Sequence, residues 1–229
     1  MDKSAWQLHS DATKDQFDAK LITLGPWTSF SFLSDPKHVS FVLARYKFVS
    51  KMLNEKSTIL EIGCGDGVGS PLIASIPSVK MIHCIDWDQR NIDGNTSRYS
   101  FLSKKVRFIN HDINKSPYLD AGKFEAAFMI DVIEHVEPKL EHQFMKNICD
   151  SLKNDGILIT GTPNIYASEW ASPQSAAQHI NLKSQETLAN LMRSYFQHTF
   201  VFAMNDEVIH TGYSKMAHYI WTVSVNLKI

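Results

Sequence analysis

Through the middle of the chain, short apolar runs alternate with longer stretches whose apolar residues recur at helical spacing. The runs at 58–62, 79–86, 105–110, 124–131 and 156–161 read as strands. Helical stretches near 68–76, 88–102 and 138–152 lie between them. In the last of these, Leu140, Phe144, Ile148, Cys149 and Leu152 mark one face, and Asn154-Asp155-Gly156 is the expected stop. Val39, Val42, Leu43, Tyr46, Val49 and Leu53 give residues 38–53 a helical face as well. Residues 1–37 carry Trp6, Phe17, Trp27, Phe30 and Phe32 with no clean period, and Gly25-Pro26 and Asp35-Pro36 break them.

The C-terminal third changes character. Residues 162–183 are rich in turn formers, and a helix capped by Ser184 is expected over 184–195. Strand-like runs follow at 199–204 and 216–226. The connection between them is too short for a parallel crossover, so the pair is expected to be antiparallel. The alternation predicts an α/β fold: a doubly wound, mostly parallel seven-stranded sheet, a C-terminal antiparallel hairpin and an N-terminal helical cap.

At 229 residues and 44% apolar, the chain suits one domain, read as a cap or lid over 1–56 and a core over 57–229. With 23 basic and 24 acidic residues it has no strongly basic field, which disfavours a nucleic-acid partner and favours a small-molecule substrate. Cys64, Cys84 and Cys149 match no metal-ribbon spacing and suit a reduced compartment. Residues 1–7 lack an apolar signal core, and no stretch nears the roughly 20 apolar residues of a membrane span. A cytoplasmic protein is expected, and nothing in the pattern sets an oligomeric state.

The chemistry concentrates at Glu61-Ile62-Gly63-Cys64-Gly65-Asp66-Gly67. Glycines after a strand let the backbone turn sharply and let a ligand approach. Glu61 at that place would repel a pyrophosphate and attract a positively charged cofactor. S-adenosylmethionine (SAM), a nucleoside bearing a sulfonium, fits both features. Three more acids end strands: Asp86, nineteen residues past Gly67, where ribose hydroxyls are met; Asp112; and Asp131. Trp87 could pack on an adenine face, and Asp112 could accept from its amine. Any one of these acids alone reads equally well as a turn or helix cap.

Together the residues resemble a class I SAM-dependent methyltransferase, which implies a Rossmann-like fold and SAM as cofactor. The glycine motif, Asp86 as the ribose acid, Asp112-Ile113 as the adenine step and Asp131 beside the methionine moiety carry the resemblance over about residues 40–229. Asp131-Val132-Ile133-Glu134-His135-Val136 and Gly161-Thr162-Pro163-Asn164 are similar to the branch that holds the ubiquinone-biosynthesis O-methyltransferases. Ala44-Arg45-Tyr46 resembles a helix segment that folds over SAM there, which implies that Arg45 holds the methionine carboxylate.

Methyl transfer to a hydroxyl calls for proton removal, and His135 and His179 are the expected bases. Asp131, Glu134, His135 and His179 also resemble a divalent-cation set of some relatives, with Asp131 shorter than the glutamate found there; a metal is the less favoured reading. The N-terminal aromatics suggest a lid, and His210 and Tyr213 are further substrate-contact candidates. Rival readings are methylation of a small amine, a non-catalytic SAM-binding subunit, and an NAD(P)-dependent oxidoreductase. The last would need glycine where Val68 stands.

Overall fold

A computed structural model describes residues 3–17 and 21–228. The helices are α1 (Ala5–Phe17), α2 (Pro26–Ser34), α3 (Pro36–Met52), α4 (Ser70–Ala74), α5 (Gln89–Arg98), α6 (Glu141–Ser151), α7 (Pro173–Gln178) and α8 (Gln185–Tyr195). The strands are β1 (Thr58–Ile62), β2 (Met81–Asp86), β3 (Val106–Asn110), β4 (Phe124–Ile130), β5 (Leu152–Pro163), β6 (Phe196–Asn205), β7 (Val208–His210) and β8 (Tyr219–Leu227).

All strands join one sheet in the order β3-β2-β1-β4-β5-β8-β6-β7. The pairs from β3 to β5 are parallel; β8 runs antiparallel to both β5 and β6. The strand order reverses between β1 and β4, which opens a crevice at the carboxyl ends of those strands. Central parallel strands are buried on both faces, and the sequence shows it. In β4, Ala126, Phe128 and Ile130 enter the core layer beneath α3, α4 and α5, while Ala127 and Met129 enter the layer beneath α6 and α8. Phe144, Met145 and Ile148 of α6 and Leu188 and Met192 of α8 complete that second layer. Each such buried side chain contributes roughly 1.5–3 kcal/mol by leaving water.

The doubly wound, mostly parallel sheet with antiparallel C-terminal strands is as expected, with eight strands rather than seven. The extra one, β7, lies inside the short 205–215 connection and pairs with Ala203–Asn205. Ser184 caps α8 in a capping box with Thr187. Asn154-Asp155-Gly156 does not end α6: Leu152 is already extended and paired with Phe124. The aperiodic N-terminus holds α1, α2 and the start of α3; Pro26 and Pro36 open α2 and α3 rather than break them, because they sit in first turns where their missing N–H costs nothing. The side chain of Phe17 lies outside the described residues. No helix among the described residues is long and apolar enough to cross a membrane.

Candidate functional site

At the end of β1 the chain turns through Gly63, Gly65 and Gly67 with φ of +70°, +50° and +71°. A Cβ on Gly63 would stand 2.5 Å from Val132, while one on Gly65 would meet nothing within 4 Å. The turn therefore packs tightly on its β4 side and leaves open space at Gly65, as a cradle must.

Two clefts open from this turn. One, of 120 Å³, is lined by Gly63, Asp86, Trp87, Asp112, Ile113 and His135 among others. The second, of 230 Å³, is lined by Trp27, Thr28, His38, Tyr46, Gly63, Gly65, Asp66 and Asp131 among others. Asp86 Oδ2 accepts the Gly65 N–H at 2.9 Å and Oδ1 the Asp88 N–H at 2.8 Å, so this acid shapes the turn it faces. Trp87 is 72% exposed and lies open beside the first cleft. Burial alone would raise Asp112, but Lys115 at 3.1 Å and the amide groups of Asn114 hold its carboxyl below the usual range.

Glu61 is placed elsewhere. It is 1% exposed and lines neither cleft. Its oxygens accept from the Tyr46 hydroxyl at 2.9 Å and the Ser70 hydroxyl at 3.3 Å. Burial pushes its carboxyl up to about 7. Its place is beneath the turn, joining α3, β1 and α4.

A larger cleft of 590 Å³ lies on the far side of Asp131. His38, Phe41, Arg45, Asp131, Trp170, His179, His218 and Tyr219 are among its walls. Arg45 lies on this side rather than over the glycine turn. Its Nη1 donates to Asp131 Oδ2 at 2.5 Å, and its guanidinium stacks 4.0 Å from the Tyr219 ring centroid. Burial works against the Arg45 charge, but Asp131 reverses that and raises it. Asp131 itself has φ +55°, a left-handed conformation that aspartate tolerates better than most residues. Arg45 Nε, Asp131 Oδ1, Glu134 Oε1, His218 Nε2 and the Tyr219 hydroxyl are buried without partners.

His135 and His179 come together, with ring centroids 5.1 Å apart. The 178–181 segment brings them there: Asn181 N–H bonds the Glu134 carbonyl at 3.0 Å, and His135 Nδ1 donates to the Gln178 carbonyl at 3.1 Å. That bond leaves His135 Nε2 as the free lone pair. Ligand atoms of Glu134, His135 and His179 lie within 4.8 Å of one another. Asp131 is not in this group; Arg45 holds it instead. Glu134 is fully buried and accepts from Thr162 at 2.9 Å; burial, then the Asp131 charge, raise its carboxyl. His179 is held below the ordinary imidazole range by burial and by His135.

His210 closes the β6–β7 turn with Asn205 and Gly212, and neither it nor Tyr213 lines these clefts. Sequence reasoning missed His38, Asp66 as a tether, His218 and Tyr219. Asp66 was within the quoted motif, but its partner, Thr28, is 38 residues away.

The family described as a methyltransferase domain matches residues 37–195. Two proteins named as probable S-adenosylmethionine-dependent methyltransferases, from Mycobacterium tuberculosis strains CDC 1551 and H37Rv, are 28% identical over 123 residues, 52% of this chain. The match spans 42% of those relatives' length. Among solved structures, the methyltransferase domain of bacterial CtHen1 superposes with a TM-score of 0.65 at 15% identity, over 81% of this chain and 99% of its own. The N-methyltransferase NodS of Bradyrhizobium japonicum WM9, in complex with S-adenosylhomocysteine (SAH), gives 0.59 at 18% identity, over 85% and 90%. These two likenesses concern the fold.

Proposed function

This chain belongs to the methyltransferase-domain family, and on that premise we propose that it transfers a methyl group from SAM to a hydroxyl oxygen of a small molecule. The observation that carries the reading is the position of Gly63, which lines both small clefts and so joins them into one elongated site. Trp87, Asp112 and Ile113 would take the adenine at one end, Asp86 the ribose, and Gly63, Gly65 and Asp131 the methionine part. When bound, SAM supplies a methyl carbon on a positively charged sulfur that a nucleophile displaces in line. The protein's part is placement, exclusion of water and proton removal.

The 590 Å³ cleft beside Asp131 is the acceptor space. Its walls mix aromatic rings with neutral imidazoles and an internally paired Arg45–Asp131 couple, which suits an uncharged hydroxylated molecule. The formal net charge of −1 offers no broad attraction to a polynucleotide. Quenching of tryptophan fluorescence by SAM and SAH, but not by NADH, is the expected binding result. A screen of sugars, phenols and amines for SAH release then identifies the acceptor. Release only with amines would overturn the oxygen assignment. Tight SAH binding without turnover of any acceptor would make the chain a binding subunit.

The clustering of Glu134, His135 and His179 favours a second reading, in which these residues hold a divalent cation at the acceptor's edge. The donors fit: a buried carboxylate oxygen without a partner, and an imidazole whose other nitrogen is fixed by a carbonyl. A bound ion would lower the pKa of a coordinated hydroxyl. Turnover unchanged after exhaustive chelation would remove this reading.

A further inference from the structure

We infer that His38 stands at the methyl crossing point and takes the acceptor's proton, an inference that rests on the SAM and acceptor clefts assigned above. A methyl group can pass only where those spaces adjoin. His38 and Asp131 are the two residues that line both. Asp131 commits Oδ2 to Arg45, and its Oδ1 is enclosed. The His38 ring projects from the first turns of α3, edge-on to Phe41 with centroids 6.3 Å apart. Among the described residues, no hydrogen bond engages the His38 ring, while its backbone N–H donates to the Asp35 carbonyl at 3.0 Å. His179 lines the acceptor cleft alone, and His135 lines the Trp87 cleft alone with Nδ1 already engaged.

The step balances within these groups. The acceptor oxygen gives a lone pair to the methyl carbon, and the carbon–sulfur bond breaks with its pair left on sulfur. The hydroxyl proton passes to a His38 ring nitrogen, and the imidazolium later returns it to water. Arg45, Asp131, Asp35 and His218 are the charged or titratable groups that face the ring. His38 is exposed at the cleft, yet partial desolvation, then the Arg45 charge, keep it below the ordinary imidazole range, so it is neutral and ready to accept at neutral pH. Asp131 and Asp35 favour the imidazolium once it forms.

SAM and SAH differ by one methyl group and one positive charge on sulfur, so the pair probes distance to the transferred methyl. NMR titration of histidine-labelled full-length protein, with His38 assigned through His38→Gln, reads that difference without an acceptor. The His38 midpoint is expected about one pH unit lower with SAM than with SAH, and the midpoints of His179 and His218 are expected to move less. His38→Gln should bind SAH within about twofold of the parent and lower kcat about 100-fold or more on the acceptor found by the screen. Equal His38 midpoints in the two complexes, a larger difference at His179, or undiminished kcat in His38→Gln would overturn the inference. Failure of both SAM and SAH to bind would instead fell the cofactor assignment, and this role with it.

Discussion

The edge proposed for the cofactor and the wall proposed for the acceptor treat their polar groups in opposite ways. At the edge, Asp86 receives two backbone N–H groups, Asp112 is held by Asn114 and Lys115, and Glu61 accepts two hydroxyls. On the wall, Arg45, Asp131, His218 and Tyr219 each keep a buried atom without a partner. An unpaired buried polar group costs about 1–3 kcal/mol, so the wall, with four such residues against Asn114 at the edge, carries the larger stability cost. One side is a nearly finished cradle. The other keeps donors and acceptors free for a molecule that brings its own.

Removing a charge from each side should give the largest contrast. Arg45→Ala leaves Asp131 without its partner and deepens the isolation of Glu134, and is expected to cost about 3 kcal/mol in urea unfolding. Asp112→Asn loses a bridge to a largely exposed Lys115 and should cost under about 1 kcal/mol. Equal losses at the two positions would erase the distinction.

Glu61 tests the cradle from beneath. Burial raises its carboxyl from 4.5 to about 7 in the folded chain. The folded state therefore holds a proton that the unfolded state has released between those values. Stability from this group is fully present below pH 4.5, falls as pH rises toward 7, and is level above it. The fall amounts to roughly 3 kcal/mol. Glu61→Gln keeps an acceptor for Tyr46 and should remove that slope. Melting temperatures of parent and variant that change in parallel from pH 4.5 to 7.5 would show that Glu61 does not titrate there.

The edge was legible in the sequence because it is local. The glycine turn follows its strand directly, and parallel register carries Asp86, Asp112 and Asp131 to the same end of the sheet. The wall gave no such signal. Its residues come from α3, the end of β4, the segments around α7 and the start of β8, and no spacing rule links His38 to His218. His38 read only as a helix boundary, and Arg45 read toward the cofactor because the Asp131 pairing spans 86 residues. Glu61 read as an acid facing the cofactor, and strand alternation does not reveal that Tyr46 and Ser70 enclose it. Pro26 and Pro36 read as breaks because a proline ends one element and opens the next with the same residue.

The smallest expected effect concerns how the glycine turn holds the helix that lines its cleft. Asp66, inside the glycine turn, accepts the Thr28 N–H at 2.8 Å and the Thr28 hydroxyl at 3.0 Å, so the cradle caps α2 from outside the helix. That helix carries Trp27 and Ser31 to the 230 Å³ cleft, while Phe30, Phe32 and Leu33 stay exposed on it. Thr28→Val keeps the N–H bond and the side-chain volume but removes the hydroxyl. A charge-assisted hydrogen bond of this kind is worth about 1.5 kcal/mol, so amide exchange across residues 27–33 should quicken about tenfold. SAH, by fixing the turn that holds Asp66, should slow that exchange in the parent and slow it less in Thr28→Val. Identical exchange in both proteins, free and with SAH, would show that α2 is held by packing alone.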